Sequence, residues 1–349
     1  TVDTDVIEPH LQHVMDANVT AGDAGDHIEY TITVYHTGAS TSAAFDIILF
    51  ESFWDDLLLH AGTVIVSDGR VHEGNTAGDT VMHVNVSVLP LGHNVTVRFV
   101  AELTTAVRPD TTVLSNSSLS WWSVPGTEGR ERSTTADAPI IYIPTTESFG
   151  LLLTATNVGD TASGQHTVAT DLAVGEHVSF VAEATLREGT TATNITLRLP
   201  SENQVLGVVS SRVLHVGHKL VPTYLSEDAS GEHEDAQLFD GIADTVIFNF
   251  GDVVAHPNNI VDEGDRIRVE VIARVENVVA NADGVEGTTE ATLEWQRGKY
   301  VETVDTDVIE PHLQHVMDAN VTAGDAGDHI EYTITVYHTG ASTSAAFDI

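Results

Sequence analysis

The first 47 residues of this chain return unchanged as its last 47, and no other feature limits the architecture as much. Thr1–Ile47 and Thr303–Ile349 are the same string, 302 residues apart. Identity over that length is not convergence on a fold. The chain reads as slightly more than one period of a long tandem array, a window that closes inside a strand pattern. Repeated units of this kind pack on their neighbours, so the period sets the architecture before any local pattern does.

Between the copies, short segments rich in Val, Ile, Thr and aromatic residues alternate in polarity and are punctuated by Gly, Pro and Ser/Thr clusters. That pattern predicts an all-β chain with many strands. Ile28, Tyr30, Ile32 and Val34 fall on one face of a strand, with His27, Glu29, Thr31 and Thr33 on the other. Met82, Val84, Val86 and Val88 are expected inward in the next long strand, with His83, Asn85 and Ser87 outward. Val95, Val97, Phe99, Ala101 and Leu103 form the longest clean alternation. Phe45–Phe50 is expected to be a buried run. Leu119 and Trp121 share a face, which leaves Trp122 on the opposite one.

The same order recurs, more diverged, within the period. Gly175–Phe180 matches Gly25–Tyr30 at an offset of 150, and the third start, at Gly327, lies 152 further on. Asn194–Leu197 matches Asp46–Leu49, and Asp244–Ile247 matches Asp79–Met82. Ile267, Val269, Val271 and Ala273 match Val95, Val97, Phe99 and Ala101. Leu293 and Trp295 match Leu119 and Trp121, which predicts core roles for both tryptophans. The 302-residue period is therefore a pair of related domains. We read residues 1–8 as an acidic junction, 9–144 as the first domain, 145–308 as the second, and 309–349 as a partial repeat of the first. Two or three strands cannot bury their own core, so that partial repeat needs completing by more chain or by another copy.

The run Gly25-Asp26-His27-Ile28-Glu29-Tyr30-Thr31-Ile32-Thr33-Val34, followed after Thr37-Gly38 by a buried strand, resembles the conserved tandem-repeat domain of microbial surface and fibre proteins. The alternation Ile267–Val275 and the later Ala291-Thr292-Leu293-Glu294-Trp295 are similar to it too. The resemblance implies two tandem immunoglobulin-like β-sandwiches plus the start of a third identical to the first. It also implies tandem use in adhesins, fibres and pili, and internal isopeptide bonds in some members. Such a bond needs a lysine. The only lysines here are Lys219 and Lys299, so the first domain cannot form one.

Charge narrows the partners. With 52 acidic against 14 basic residues the formal net charge is −38, a surface that repels nucleic acid and anionic membranes and favours cations and hydration. A solvated fibre surface, adaptation to high salt and calcium binding all fit it. No cysteine is present, which excludes disulfides, thiolate catalysis and Cys-ligated metals. No apolar run approaches the length of a membrane span.

Asn-x-Ser/Thr occurs at Asn18, Asn85, Asn94, Asn116 and Asn194, and at Asn320 as the copy of Asn18. Such motifs mark glycan acceptors on secreted surfaces. Asp3, Asp5 and Glu8, repeated as Asp305, Asp307 and Glu310, fall at the junction between domain pairs. Oxygen ligands there could bind calcium and stiffen the linker; a solvated acidic linker is the plainer reading. The acidic loop with Glu227, Asp228, Glu232, Glu234, Asp235 and Asp240 has no EF-hand spacing. The 18 histidines show no metal spacing and read as surface residues. No nucleophile elbow, phosphate loop or zinc-binding helix is present, so an enzyme is not expected.

These readings converge on a structural repeat unit of an extracellular filament or cell-surface appendage, glycosylated and joined head to tail to other copies. An adhesin-type module recognising a carbohydrate or cell-surface protein is the alternative.

Overall fold

A computed structural model describes residues 6–126, 132–136, 139–145, 148–156, 169–202, 204–224, 237–239, 242–340 and 346. Asp3, Asp5 and the acidic residues named between Glu227 and Asp240 lie outside them. The chain is all-β and immunoglobulin-like, built from packed, mostly antiparallel sheets around two hydrophobic cores.

The first core is enclosed by strands between Leu11 and Ile143. They are β1 (Leu11–Ala17), β2 (His27–His36), β3 (Ala44–Ser52), β4 (Leu57–Leu59), β5 (Ile65–Val66), β6 (Arg70–Glu73), β7 (Val81–Leu89), β8 (Asn94–Leu103), β9 (Thr111–Val113), β10 (Asn116–Trp122), β11 (Arg132–Ala136) and β12 (Ile141–Ile143). One sheet runs β1-β2-β8-β4, with β5 also on β8. The other runs β11-β10-β3-β7-β6, and β12 pairs with β9. Alternation is the cause of the layering. Ile28, Tyr30, Ile32 and Val34 of β2 and Val95, Val97, Phe99, Ala101 and Leu103 of β8 all point into the core. Tyr30 stacks on Phe99 at 5.1 Å, and Phe53 meets the same ring edge-on. Each of the Val, Leu, Ile and Phe side chains contributes roughly 1.5–3 kcal/mol through burial.

The second core lies among β13 (Ser148–Thr156), β14 (Asp171–Ala173), β15 (His177–Thr185), β16 (Gly189–Arg198), β17 (Leu206–Val216), β18 (Leu220–Pro222), β19 (Gln237–Phe239), β20 (Ile242–Ala255), β21 (Arg266–Val275), β22 (Glu286–Glu294) and β23 (Lys299–Ile309). Its sheets run β13-β15-β21-β17 and β14-β23-β22-β16-β20-β18, with β19 on β20. The internal echo is structural. Phe180 stands opposite Val271 as Tyr30 stands opposite Phe99. Two string matches shift in register, however. Leu197 pairs with Val246 whereas Leu49 pairs with Val84, so Val246 takes the place of Val84 and not of Val81. Leu197 also pairs with Ala291 as Leu49 pairs with Leu119, which moves Leu293 to the position of Trp121. Trp295 is thereby carried past the end of β22, half-buried at the edge of the core.

Other expectations also change. Val88 is exposed and Leu89 buried, because the inward face switches at the end of β7. Phe50 is exposed within the Phe45–Phe50 run. Trp122 is buried, not outward: a bulge between Ser120 and Trp122, facing the positive-φ residue Asp46, breaks the alternation that would have turned it out. His13 is buried beside Ser117, not at the surface.

The partial repeat forms β24 (Leu313–Ala319) and β25 (Tyr332–His338), paired in the register of β1 and β2. Sequence and pairing are the same; packing is not. Ile32 is 0% exposed and its copy Ile334 is 62% exposed. The converse holds at the other end of the repeated string. Val308 and Ile309 of β23, at 0% and 6% exposed, close the second core, with β23 antiparallel to β22 and parallel to β14. Their copies Val6 and Ile7 are 85% and 62% exposed.

Candidate functional site

The described residues bring the most specific polar chemistry together where the two cores meet. Turn residues Asp23–Gly25, ahead of β2, face the β15–β16 turn. Arg187 donates to Asp23 Oδ2 at 3.1 Å and to the Thr145 carbonyl at 2.9 Å, and Ala24 N donates to Glu188 O. Glu188 turns its carboxylate back to accept from Asn258 N and Asn259 N at 2.5 and 2.7 Å. Burial pushes Asp23 up to about 6, and the Arg187 bond opposes the shift.

Beside it, Thr190 N donates to Val107 O at 2.9 Å and Thr190 Oγ1 to Thr105 O at 2.6 Å. Gly189, at φ +128°, lets the backbones approach this closely: a Cβ there would lie 2.7 Å from Val107 O. Arg108 grips Asp252 with two bonds of 3.2 and 2.9 Å, which hold the Asp252 carboxyl below the usual carboxylate range. Trp295 Nε1 donates to Asp110 Oδ2 at 2.7 Å, and Tyr142 OH to Asp110 Oδ1 at 3.0 Å. The register shift that took Trp295 out of the core thus places it on the neighbouring sandwich.

Among the glycosylation candidates, Asn94 in β8 and Asn116 in β10 are exposed. Asn18 and its copy Asn320 are exposed as well, and each accepts through Oδ1 from a backbone amide, Glu29 N and Glu331 N. Asn194 is half-buried at a register shift in β16. Asn85 is half-buried in a groove of about 560 Å³ that it shares with Ile48, Arg70 and Trp122.

The described members of the expected calcium set do not converge. Glu8 pairs with Arg132 at 2.5 Å, Asp305 accepts from Thr288 Oγ1 at 2.7 Å, Asp307 stands opposite Asp171 and Glu286, and Glu310 N donates to Asp283. Lys219 is held in ion pairs with Asp262 and Asp265, at 3.1 and 3.2 Å. Among the described residues, one group of three His/Asp/Glu side chains has its ligand atoms within 4.8 Å of one another: His27, His60 and Glu102. The sequence marks His27 only as an outward residue. His60 and Glu102 had no signal at all, since 33 and 42 residues separate the members and strand pairing alone unites them. No helix of the described residues is long and apolar enough to cross a membrane.

No family model and no curated protein sequence matches the chain. Solved structures similar to it include the C-terminal domain of the AgI/II polypeptide BspA of Streptococcus agalactiae, with 8% identity, 85% of this chain and 100% of that one covered, and a TM-score of 0.33. A C-terminal fragment of the major pilin GBS80 of Streptococcus agalactiae has 6% identity, 84% and 91% coverage, and a TM-score of 0.33. BcpA, the major pilin subunit of Bacillus cereus, has 8% identity, 85% and 66% coverage, and a TM-score of 0.31. At these TM-scores the likeness carries no functional argument, and the fold class rests on the chain's own sheets.

Proposed function

We propose that the chain is a structural repeat unit of an extracellular filament or cell-surface appendage, joined head to tail to further copies and carrying glycans on its asparagine motifs. One observation carries this reading: one sequence occurs in two packing states. Val308 and Ile309 close the second core while the identical Val6 and Ile7 stand in solvent; Ile32 is buried while the identical Ile334 is exposed. Each exposed copy fits a partner surface that its buried twin already occupies. In an array, the opening residues of one unit would form the last strand of the unit before it, and the strands after Glu310 would be completed by the rest of a first-type sandwich. The units would be the first sandwich, 9–144, and the second, 145–308, interlocked through β23. Of the exposed motif asparagines, Asn18 and Asn320 engage Oδ1 with backbone amides, which leaves Asn94 and Asn116 as the favoured acceptors.

Electron microscopy of the native material, with mass spectrometry of its glycopeptides, tests the reading. Filaments with an axial repeat of one sandwich pair, and glycan at Asn94 or Asn116, are the expected result. Isolated monomers with bare asparagines would overturn it.

An adhesin-type role is the second reading, and Trp54 favours it. This ring, after β3, is 68% exposed, and the second sandwich has no aromatic at the corresponding turn, Pro200–Glu202.

A further inference from the structure

We propose that His27, His60 and Glu102 form a binding site for a divalent transition-metal ion of the zinc class, one site per first-type sandwich. The three residues lie on one outward sheet face. His27 opens β2 and stands directly opposite Glu102 of β8. His60 follows β4, where Leu58 and Leu59 pair with Glu102 and Ala101. Sheet pairing alone therefore sets the side chains next to one another.

The distances suit a metal. Glu102 Oε2 lies 2.8 Å from His60 Nε2 and 3.5 Å from His27 Nε2. Ligands bound to zinc at about 2.0–2.2 Å in tetrahedral array stand about 3.3–3.6 Å apart. Small rotations of the imidazoles, whose centroids are 4.4 Å apart, bring the three atoms to that spacing.

The donor set selects the ion class. Two imidazole nitrogens and one carboxylate favour zinc and its neighbours, whereas calcium takes six or more oxygens. The side chains are 57%, 33% and 29% exposed, so the fourth position opens to water. The frame is stiff. His60 N donates to Val100 O at 2.9 Å, and the His60 carbonyl accepts from Thr63 Oγ1 at 2.6 Å. A net charge of −38 raises the local concentration of any cation.

The second sandwich supplies an internal control. His177 matches His27 in the strand order, but the residue opposite it is Arg274, which turns to Glu276. A cation replaces the carboxylate, and the site is absent there. Among the described residues no other three His, Asp or Glu side chains converge in this way. The position is also structural. Gly25, two residues before His27, donates to Leu103 O at 2.7 Å and packs on Pro257 of the second sandwich. A bound ion would tie β2, β8 and the end of β4 together beside the junction. None of this depends on the filament reading.

Isothermal titration of the EDTA-stripped chain with zinc chloride, and separately with calcium chloride, tests the proposal. The expected result is one zinc per chain, a loss of affinity of tenfold or more in His60→Asn and in Glu102→Gln, and no change in His177→Asn. Cobalt substitution should give visible d–d bands that both site variants lack. Circular dichroism of the stripped variants should overlay the parent; if His60→Asn fails to fold, the mostly exposed His27→Asn carries the test. Absence of saturable zinc binding, or unchanged affinity in the site variants, would overturn the site.

Discussion

Glu51 occupies an inward position of β3, fully buried between residues that are otherwise apolar or small. Its carboxyl receives a short bond from Ser115 Oγ, and its second oxygen has no partner. Burial pushes the group up to about 7 from its usual value near 4.5, with the Ser115 bond opposing. The folded chain therefore keeps a proton that the unfolded chain releases. The group's contribution to stability is greatest below about pH 4.5, falls as pH rises through the window from 4.5 to 7, and is absent above it. The loss is about 3 kcal/mol, taking 1.36 kcal/mol for each tenfold change in proton affinity. Glu51→Gln keeps the shape without the charge. In urea melts followed by tryptophan fluorescence, it should match the parent at pH 4 and exceed it by about 3 kcal/mol at pH 8. His13 acts in the opposite sense. Burial holds its imidazole below the usual value of 6.5, so its contribution is lost as pH falls below that value.

Among the elements, the strands with clean alternation were legible from the sequence and the irregular ones were not. β2, β8 and β21 bury the faces their patterns predict, because one buried face and a period of two leave a single workable register. Trp122 and the matches at Val246 and Trp295 depend on bulges and register shifts, which move residues between faces or along a strand without any mark in composition. The junction was hidden for the same reason. Asp110 meets Trp295, and Arg108 meets Asp252, across more than a hundred residues. Gly189 is the element-level test. A side chain there meets both a strained φ and the Val107 carbonyl. Gly189→Val should loosen the junction by about 1–3 kcal/mol while each sandwich keeps its strands. Small-angle scattering should then show a broader distribution of distances between the sandwiches, with an unchanged far-ultraviolet circular dichroism spectrum. An unchanged scattering profile would show that the junction does not rely on this contact.

At the scale of the whole molecule, the repeated string makes the chain its own control. Residues 313–338 carry the same sequence and strand register as 11–36, so local propensity cannot account for the difference in their burial; only the rest of the sandwich can. The absence of native cysteine allows a direct measurement, because one introduced thiol reports one position. I32C places it in the completed core, and I334C places it at the identical position of the partial repeat. In this chain the I32C thiol should resist a disulfide reagent until the sandwich opens, while the I334C thiol reacts at nearly the rate of a free peptide. When the chain is continued through the residues that repeat 48–144, the I334C thiol should become as protected as that of I32C. A reduction in rate of a hundredfold or more corresponds to at least about 2.7 kcal/mol of opening free energy, well within what a packed β core supplies. If continuation leaves the I334C thiol reactive, the repeat does not rebuild its fold from its own next copy, and the covalent head-to-tail array fails with it.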